Sequence, residues 1–134
     1  MKISPNAPCP CHSGDKYKKC CHPYHKGILP SNALKLMRSR YSAFALSLPE
    51  YIMDTTHPNN GDYSDDRAAW ARSILAFSRT HDFTGLKILD FIDGESVAYV
   101  TFSAVLGEGS FIEKSRFYKI DKKWLYESGE FPES

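Results

Sequence analysis

All four cysteines of this 134-residue chain, Cys9, Cys11, Cys20 and Cys21, fall within thirteen positions in the pattern C-x-C-x8-C-C. Nothing else in the sequence constrains the fold as tightly. Two thiol pairs on either side of a short loop suit one tetrahedral ion, and a set of four thiolates, or of three and an imidazole, leaves no position for a substrate. The pattern therefore predicts one Zn²⁺ in a structural role, with His22 or His25 near enough to replace one of the adjacent cysteines. Ser13-Gly14-Asp15 sits where the chain must reverse, because glycine reaches positive φ and Ser and Asp bond the local backbone. Disulfides are the competing use of the thiols. They need an oxidising compartment, and the opening MKISPNAPCP has no apolar core of the kind a secretory signal requires. Neighbouring Cα atoms, about 3.8 Å apart, are also closer than the roughly 5.5–6 Å a disulfide prefers, so Cys20 and Cys21 would pair only with strain. The expectation is a cytoplasmic zinc protein.

The stretch CPCHSGDKYKKCC resembles the SEC-C motif, a small zinc-binding module also found at the end of the translocase motor SecA. Cys9 and Cys11 match its first pair, Ser13 and Gly14 its turn, and Cys20 and Cys21 its second pair. His12 stands where the motif usually has glycine.

Charge divides the chain. Residues 1–40 hold eight Lys or Arg against Asp15 alone, for +7, and the remaining 94 hold nine bases and fifteen acids, for −6. Four zinc-bound thiolates would lower the first figure to about +5 without changing its sign. A basic segment on an acidic body predicts contact with a polyanion, or folding of one part against the other. Lys16, Lys18, Lys19 and Lys26 are the candidate basic surface, and an acidic protein, ribosomal RNA or other nucleic acid the candidate partners. No apolar run approaches a membrane span.

Pro5, Pro8, Pro10, Pro23 and Pro30 exclude a long helix from the first thirty residues, which leaves order to the metal and docking to Ile28 and Leu29. Residues 1–30 thus read as a zinc module and 31–134 as a second unit. Ser31-Asn32 can cap a helix along which Leu34, Met37, Tyr41, Phe44 and Leu48 recur at helical spacing. EYIMDTTH reads as a second helix, stopped by His57-Pro58. DDRAAWARSILAFSRT reads as a third, with Ala69, Trp70, Ser73, Ile74 and Phe77 inward. After Thr80 the period becomes two, in four runs separated at hairpin lengths. Three helices before a four-stranded antiparallel meander make an α+β layer fold. Because the second run is apolar at both parities, its outer face is expected to lie under the zinc module or a partner subunit of a homodimer.

This order resembles the cystatin-like cone fold of the nuclear transport factor 2 superfamily. With LMRSRYSAF at 36–44, THP at 56–58 and EKSRFYK at 113–119, the chain resembles the YchJ-like bacterial proteins, described as an N-terminal SEC-C motif joined to such a fold. Family members often carry a second SEC-C motif at the C-terminus, which this sequence does not show. The resemblance implies no established activity. It does imply a pocket between sheet and helices, for which Arg40, Tyr41, Asp54, His57, Trp70 and Arg116 are the candidates: a histidine–carboxylate pair for proton transfer and arginine for an anion. The competing roles are structural. His57 would cap the preceding helix, Trp70 would be core, and Arg38, Arg40 and Arg116 would form ion pairs between helix and sheet. No phosphate loop, serine elbow or HExxH sequence is present. The function expected is therefore a non-catalytic adaptor, with a ligand-binding or enzymatic cone, or non-specific nucleic-acid binding through the basic segment, as the alternatives.

Overall fold

A computed structural model describes residues 3–132. After a 3₁₀ turn at Tyr17–Lys19 come α1 (His22–His25), α2 (Ala33–Ala45), α3 (Pro49–Asp54) and α4 (Arg67–Thr80), then β1 (Phe83–Ile92), β2 (Val97–Leu106), β3 (Gly109–Ile120) and β4 (Lys123–Glu130). The strands form one antiparallel sheet in the order β1-β2-β3-β4. The fold is the expected α+β cone, with the helices gathered on one face of the sheet.

Local chemistry sets the boundaries. Asn32 accepts the Lys35 N–H at 2.8 Å and Asp66 the Ala69 N–H at 3.0 Å, which caps α2 and α4. Pro49 occupies the first turn of α3, where its missing N–H is no loss. The β3–β4 turn places both central residues, Asp121 and Lys122, at positive φ (50° and 69°), the twist a two-residue hairpin favours.

The inward face of the sheet carries Ala98, Val100, Phe102 and Ala104 of β2, Phe117 of β3 and Trp124 of β4, all buried. They join Leu36, Met37 and Tyr41 of α2, and Cys9, Cys11, Tyr17 and Cys21 of the N-terminal segment, in one core. A second cluster, Ala43, Ile52, Met53, Trp70 and Ile74, lies where α2, α3 and α4 meet. The single apolar stripe expected for α2 is too narrow. Leu36, Ser39 and Ala43 are fully buried as well, because α2 is covered by the sheet on one side, by the cysteine segment on another and, at Ala43, by α3 and α4.

That contact also corrects how the N-terminal segment docks. Ile28 and Leu29 are exposed (62% and 50%), whereas Tyr17 is buried and His25 reaches the Ser39 carbonyl of α2. The segment does not cover the outer face of the sheet either. It meets α2 and the start of β1, where His12 bonds the Phe83 carbonyl. On the outer face Tyr99 is half-buried beneath Lys114, whose Nζ lies 5.0 Å from the ring centre. None of the ion pairs among the described residues involves residues 1–40. No helix is long and apolar enough to cross a membrane.

Candidate functional site

The segment around the cysteines is a small closed turn. Pro8 and Lys16 form an antiparallel bridge, Cys9 N–H donates to the Asp15 carbonyl at 2.8 Å, and Tyr17 N–H to Ala7 at 2.8 Å. Gly14, at φ 93°, reverses the chain, helped by the Ser13 hydroxyl accepting the Asp15 N–H. The 3₁₀ turn then brings Cys20, which ends it, and Cys21, at the N-cap of α1, back to Cys9 and Cys11.

All four Sγ atoms lie within 4.8 Å of one another. Cys11 and Cys20 are 3.5 Å apart and Cys20 and Cys21 3.9 Å, close to the roughly 3.8 Å edge of a tetrahedron with metal–sulfur bonds of about 2.3 Å. All four cysteines are free thiols, three of them buried. Polar groups surround the sulfurs: Ser42 Oγ lies 3.2 Å from Cys21 Sγ and 3.5 Å from Cys9 Sγ, Ser13 Oγ 3.2 Å from Cys20, and Arg38 Nη1 3.8 Å from Cys11. Arg38 also holds the Cys11 carbonyl at 3.1 Å. S–H bonds from Cys21 and Cys9 hold the Cys11 thiol far below its ordinary range, and the same bonds to Cys11 and Cys9 push Cys21 far up. Burial pushes Cys20 up to about 12. Only a multivalent cation makes four thiolates tenable at that spacing. The donor set thus fits a metal ion.

Neither histidine is part of the set. His25 Nε2 lies 2.8 Å from the Ser39 carbonyl, which can only accept, so Nε2 bears the proton and Nδ1 accepts the Tyr17 hydroxyl at 2.6 Å. With both nitrogens engaged, His25 ties the turn to α2. His22 stacks on Tyr17, ring centres 4.8 Å apart. Lys16, Lys18, Lys19 and Lys26 are exposed around the knot.

The second site is a cavity of about 570 Å³ between α4 and the inner faces of β2 and β3. Of the six residues expected in such a pocket, Arg40, Tyr41 and Trp70 line it, while Asp54, His57 and Arg116 do not. Asp54 and Glu50 hold Arg67 at the surface. His57 accepts the Asn59 N–H and lies beside Tyr118, ring centres 5.5 Å apart and tilted by 49°. It leaves the C-cap of α3 to Thr55, and among the described residues it forms no hydrogen bond or ion pair with a carboxylate. Arg116 lies on the outer face, where a bulge opposite it brings Glu127 into a forked pair at 2.9–3.1 Å. Among the described residues, no arginine forms the expected ion pair between helix and sheet.

Glu113, Ser115, Asn60, Asp62 and Tyr126 line the cavity without having been singled out. Strand parity could have found the first two. Phe117 is inward, so Ser115 and Glu113 share its face and Arg116 has the opposite one.

Residues 32–129 match the family described as YchJ, middle NTF2-like domain, and residues 6–23 match the SEC-C motif. The chain belongs to the YchJ family. A UPF0225 protein of Streptomyces coelicolor is 38% identical over 131 residues, covering 95% of this chain and 98% of that protein. One from Sodalis glossinidius is 36% identical over 132 residues, covering 92% and 82%. Among solved structures, a SEC-C motif containing protein from Rhodopseudomonas palustris superposes with a TM-score of 0.80 at 30% identity, over 95% of this chain and all of that one. Another, from Psychrobacter arcticus, gives 0.77 at 29% identity, over 94% and 83%. Joining an N-terminal SEC-C motif to a cone domain is therefore the YchJ arrangement, and the cysteine cluster and the cavity sit in its two parts.

Proposed function

We propose that the four cysteines hold one structural Zn²⁺ and that the module so stapled is the contact surface of a non-catalytic cytoplasmic adaptor. The observation that carries the metal reading is the tetrahedral closeness of four sulfurs with Ser42 of α2 against two of them. An all-sulfur set in a reducing compartment selects zinc over the hard cations. The basic surface is smaller than the raw charge of residues 1–40 suggests, because Arg38 is spent on Cys11 and Arg40 is buried against α3. Lys16, Lys18, Lys19, Lys26 and Lys35 remain exposed, and they suit an acidic protein or ribosomal RNA.

Metal analysis of the purified chain should give one zinc per molecule, and chelation should unfold it. Metal-free protein indifferent to chelator would sink the metal assignment. A Lys16→Glu, Lys18→Glu, Lys19→Glu, Lys26→Glu variant should retain zinc and fold yet lose its partner in a pull-down. If RNA is the partner, affinity should also fall steeply with salt. Undiminished capture by the variant would refute the adaptor role.

A further inference from the structure

Arg40 is about nine-tenths buried and forms no salt bridge among the described residues. Its Nη1 is anchored on the Ile52 carbonyl at 3.1 Å, Thr55 Oγ1 at 2.8 Å and Thr56 Oγ1 at 3.1 Å. Nε and Nη2 have no hydrogen-bond partner among the described residues, and the side chain lines the cavity. Burial pushes the guanidinium down to about 10, which leaves it a cation at neutral pH. A buried cation without an anion is costly, and such a group is ordinarily paired.

The neighbouring wall has a complementary group. The Arg40 guanidinium sits 4.7 Å from the centre of the Tyr126 ring, and the hydroxyl of that ring donates to Glu113 Oε2 at 3.0 Å. Ser115 donates to the same oxygen at 2.5 Å, while Glu113 Oε1 has no partner among the described residues. Room for this carboxylate comes from Gly129 on β4, where a side chain would collide with it. The cavity thus presents an unused guanidinium edge and an unused carboxylate oxygen about one tyrosine ring apart. Elsewhere the lining is largely aromatic, with Phe44, Phe77, Phe83, Phe102 and Phe111, and it also includes Asn60, Asp62 and Ser64; the volume is that of a small-molecule site.

We propose that this cavity binds a small amphipathic acid, its carboxylate on Arg40, an adjacent hydroxyl or amino group donating to Glu113, and an aromatic or aliphatic body among the phenylalanines. The bidentate edge of arginine matches a carboxylate, and the free Glu113 oxygen selects acids that carry a donor. The site is separate from the cysteine cluster and requires nothing of the adaptor reading.

The test is an NMR titration of the zinc-loaded full chain with three probes that differ only in the head group: indole-3-lactate, indole-3-propionate and indole-3-propanol. Indole-3-lactate should bind most tightly and shift resonances of Trp70, Phe102, Phe111 and Tyr126, with the alcohol weaker by roughly tenfold or more. Arg40→Gln should bring the acids down to the level of the alcohol. Because that change also frees the end of α3, Ala69→Trp serves as a second variant. It fills the cavity from the partly exposed wall of α4 and should abolish binding of all three probes with fold and zinc intact. Equal affinity for acid and alcohol in the unaltered protein would overturn the proposal, as would cavity resonances that none of the probes moves.

Discussion

His12 adopts φ 62°, a left-handed conformation that costs a residue with a Cβ about 1 kcal/mol, and so occupies a position suited to glycine. What offsets the strain is contact. Nε2 lies 3.1 Å from the Phe83 carbonyl, and the ring meets Tyr41 edge-on at 5.8 Å. His12→Ala keeps the strain and loses the contact, so it should destabilise by about 1 kcal/mol, whereas His12→Gly loses both and should fall nearer the native value. Urea midpoints in that order support the account; equal midpoints would contradict it. His25 makes a prediction about pH. Burial holds its imidazole below the ordinary 6.5, so the folded state binds that proton less readily than the unfolded chain. Its contribution is complete above the unfolded value of about 6.5 and is lost as pH falls below that and through the lower folded value. The native midpoint should therefore drop more steeply between pH 7.5 and 5.5 than that of His25→Gln, since acid acts on the cysteines equally in both chains. Parallel curves would remove His25 from the account. Its part in joining the turn to α2 was not legible in the sequence, where a histidine beside a cysteine pair reads first as a ligand.

At the scale of elements, α2 does the most varied work. Within about two turns it places Arg38 beside Cys11, Arg40 into the cavity, Ser42 against Cys9 and Cys21, and Phe44 among the aromatic residues. Ser42 is fully buried in mid-helix, where its hydroxyl serves the sulfurs. Ser42→Ala should weaken zinc binding by roughly 10–100-fold in a chelator competition while leaving helix content unchanged. Unaltered affinity would show that α2 merely abuts the metal centre. The turn at Asp121-Lys122 supplies a second prediction. Lys122→Gly should stabilise the chain by about 1 kcal/mol by relieving positive φ, and a lowered melting temperature would refute that reading. The helices, the strands and their hairpin spacing were legible because each rests on local period and punctuation. The cavity was half legible. Arg40 and Trp70 lie on helical faces that periodicity defines, but His57 and Arg116 were chosen for their chemistry alone, and alternation along β3 assigns Arg116 to the opposite face from Glu113. The second buried face of α2 could not be read from hydrophobicity, because Ser39 and Ser42 are polar and Ala43 is small.

For the whole molecule, the division between residues 30 and 31 is a boundary in the sequence and not in the core. Cys9, Cys11, Tyr17 and Cys21 belong to the same buried cluster as Leu36, Val100, Phe117 and Trp124. Removing the proposed metal would leave four crowded sulfurs with nothing to hold them together and loosen the cover on one side of α2, and α2 also supports the second cluster through Ala43. Structural zinc contributes apparent binding energies of roughly 10–16 kcal/mol, as large as the whole stability of an ordinary domain. Chelation should therefore unfold both parts together. The two tryptophans report on this separately, since Trp124 lies in the first cluster and Trp70 in the second. In a Trp70→Phe chain the fluorescence follows the core shared with the cysteine turn, and in a Trp124→Phe chain it follows the packing of α2, α3 and α4. If the molecule is one cooperative unit, both chains should show coincident thermal transitions, shifted down together by about 10 °C or more when chelator is added. A chain of residues 31–134 alone should likewise fail to give a cooperative transition. If the Trp70 signal kept its midpoint under chelation while the Trp124 signal fell, the cone would be an independent domain and the zinc turn an appendage to it.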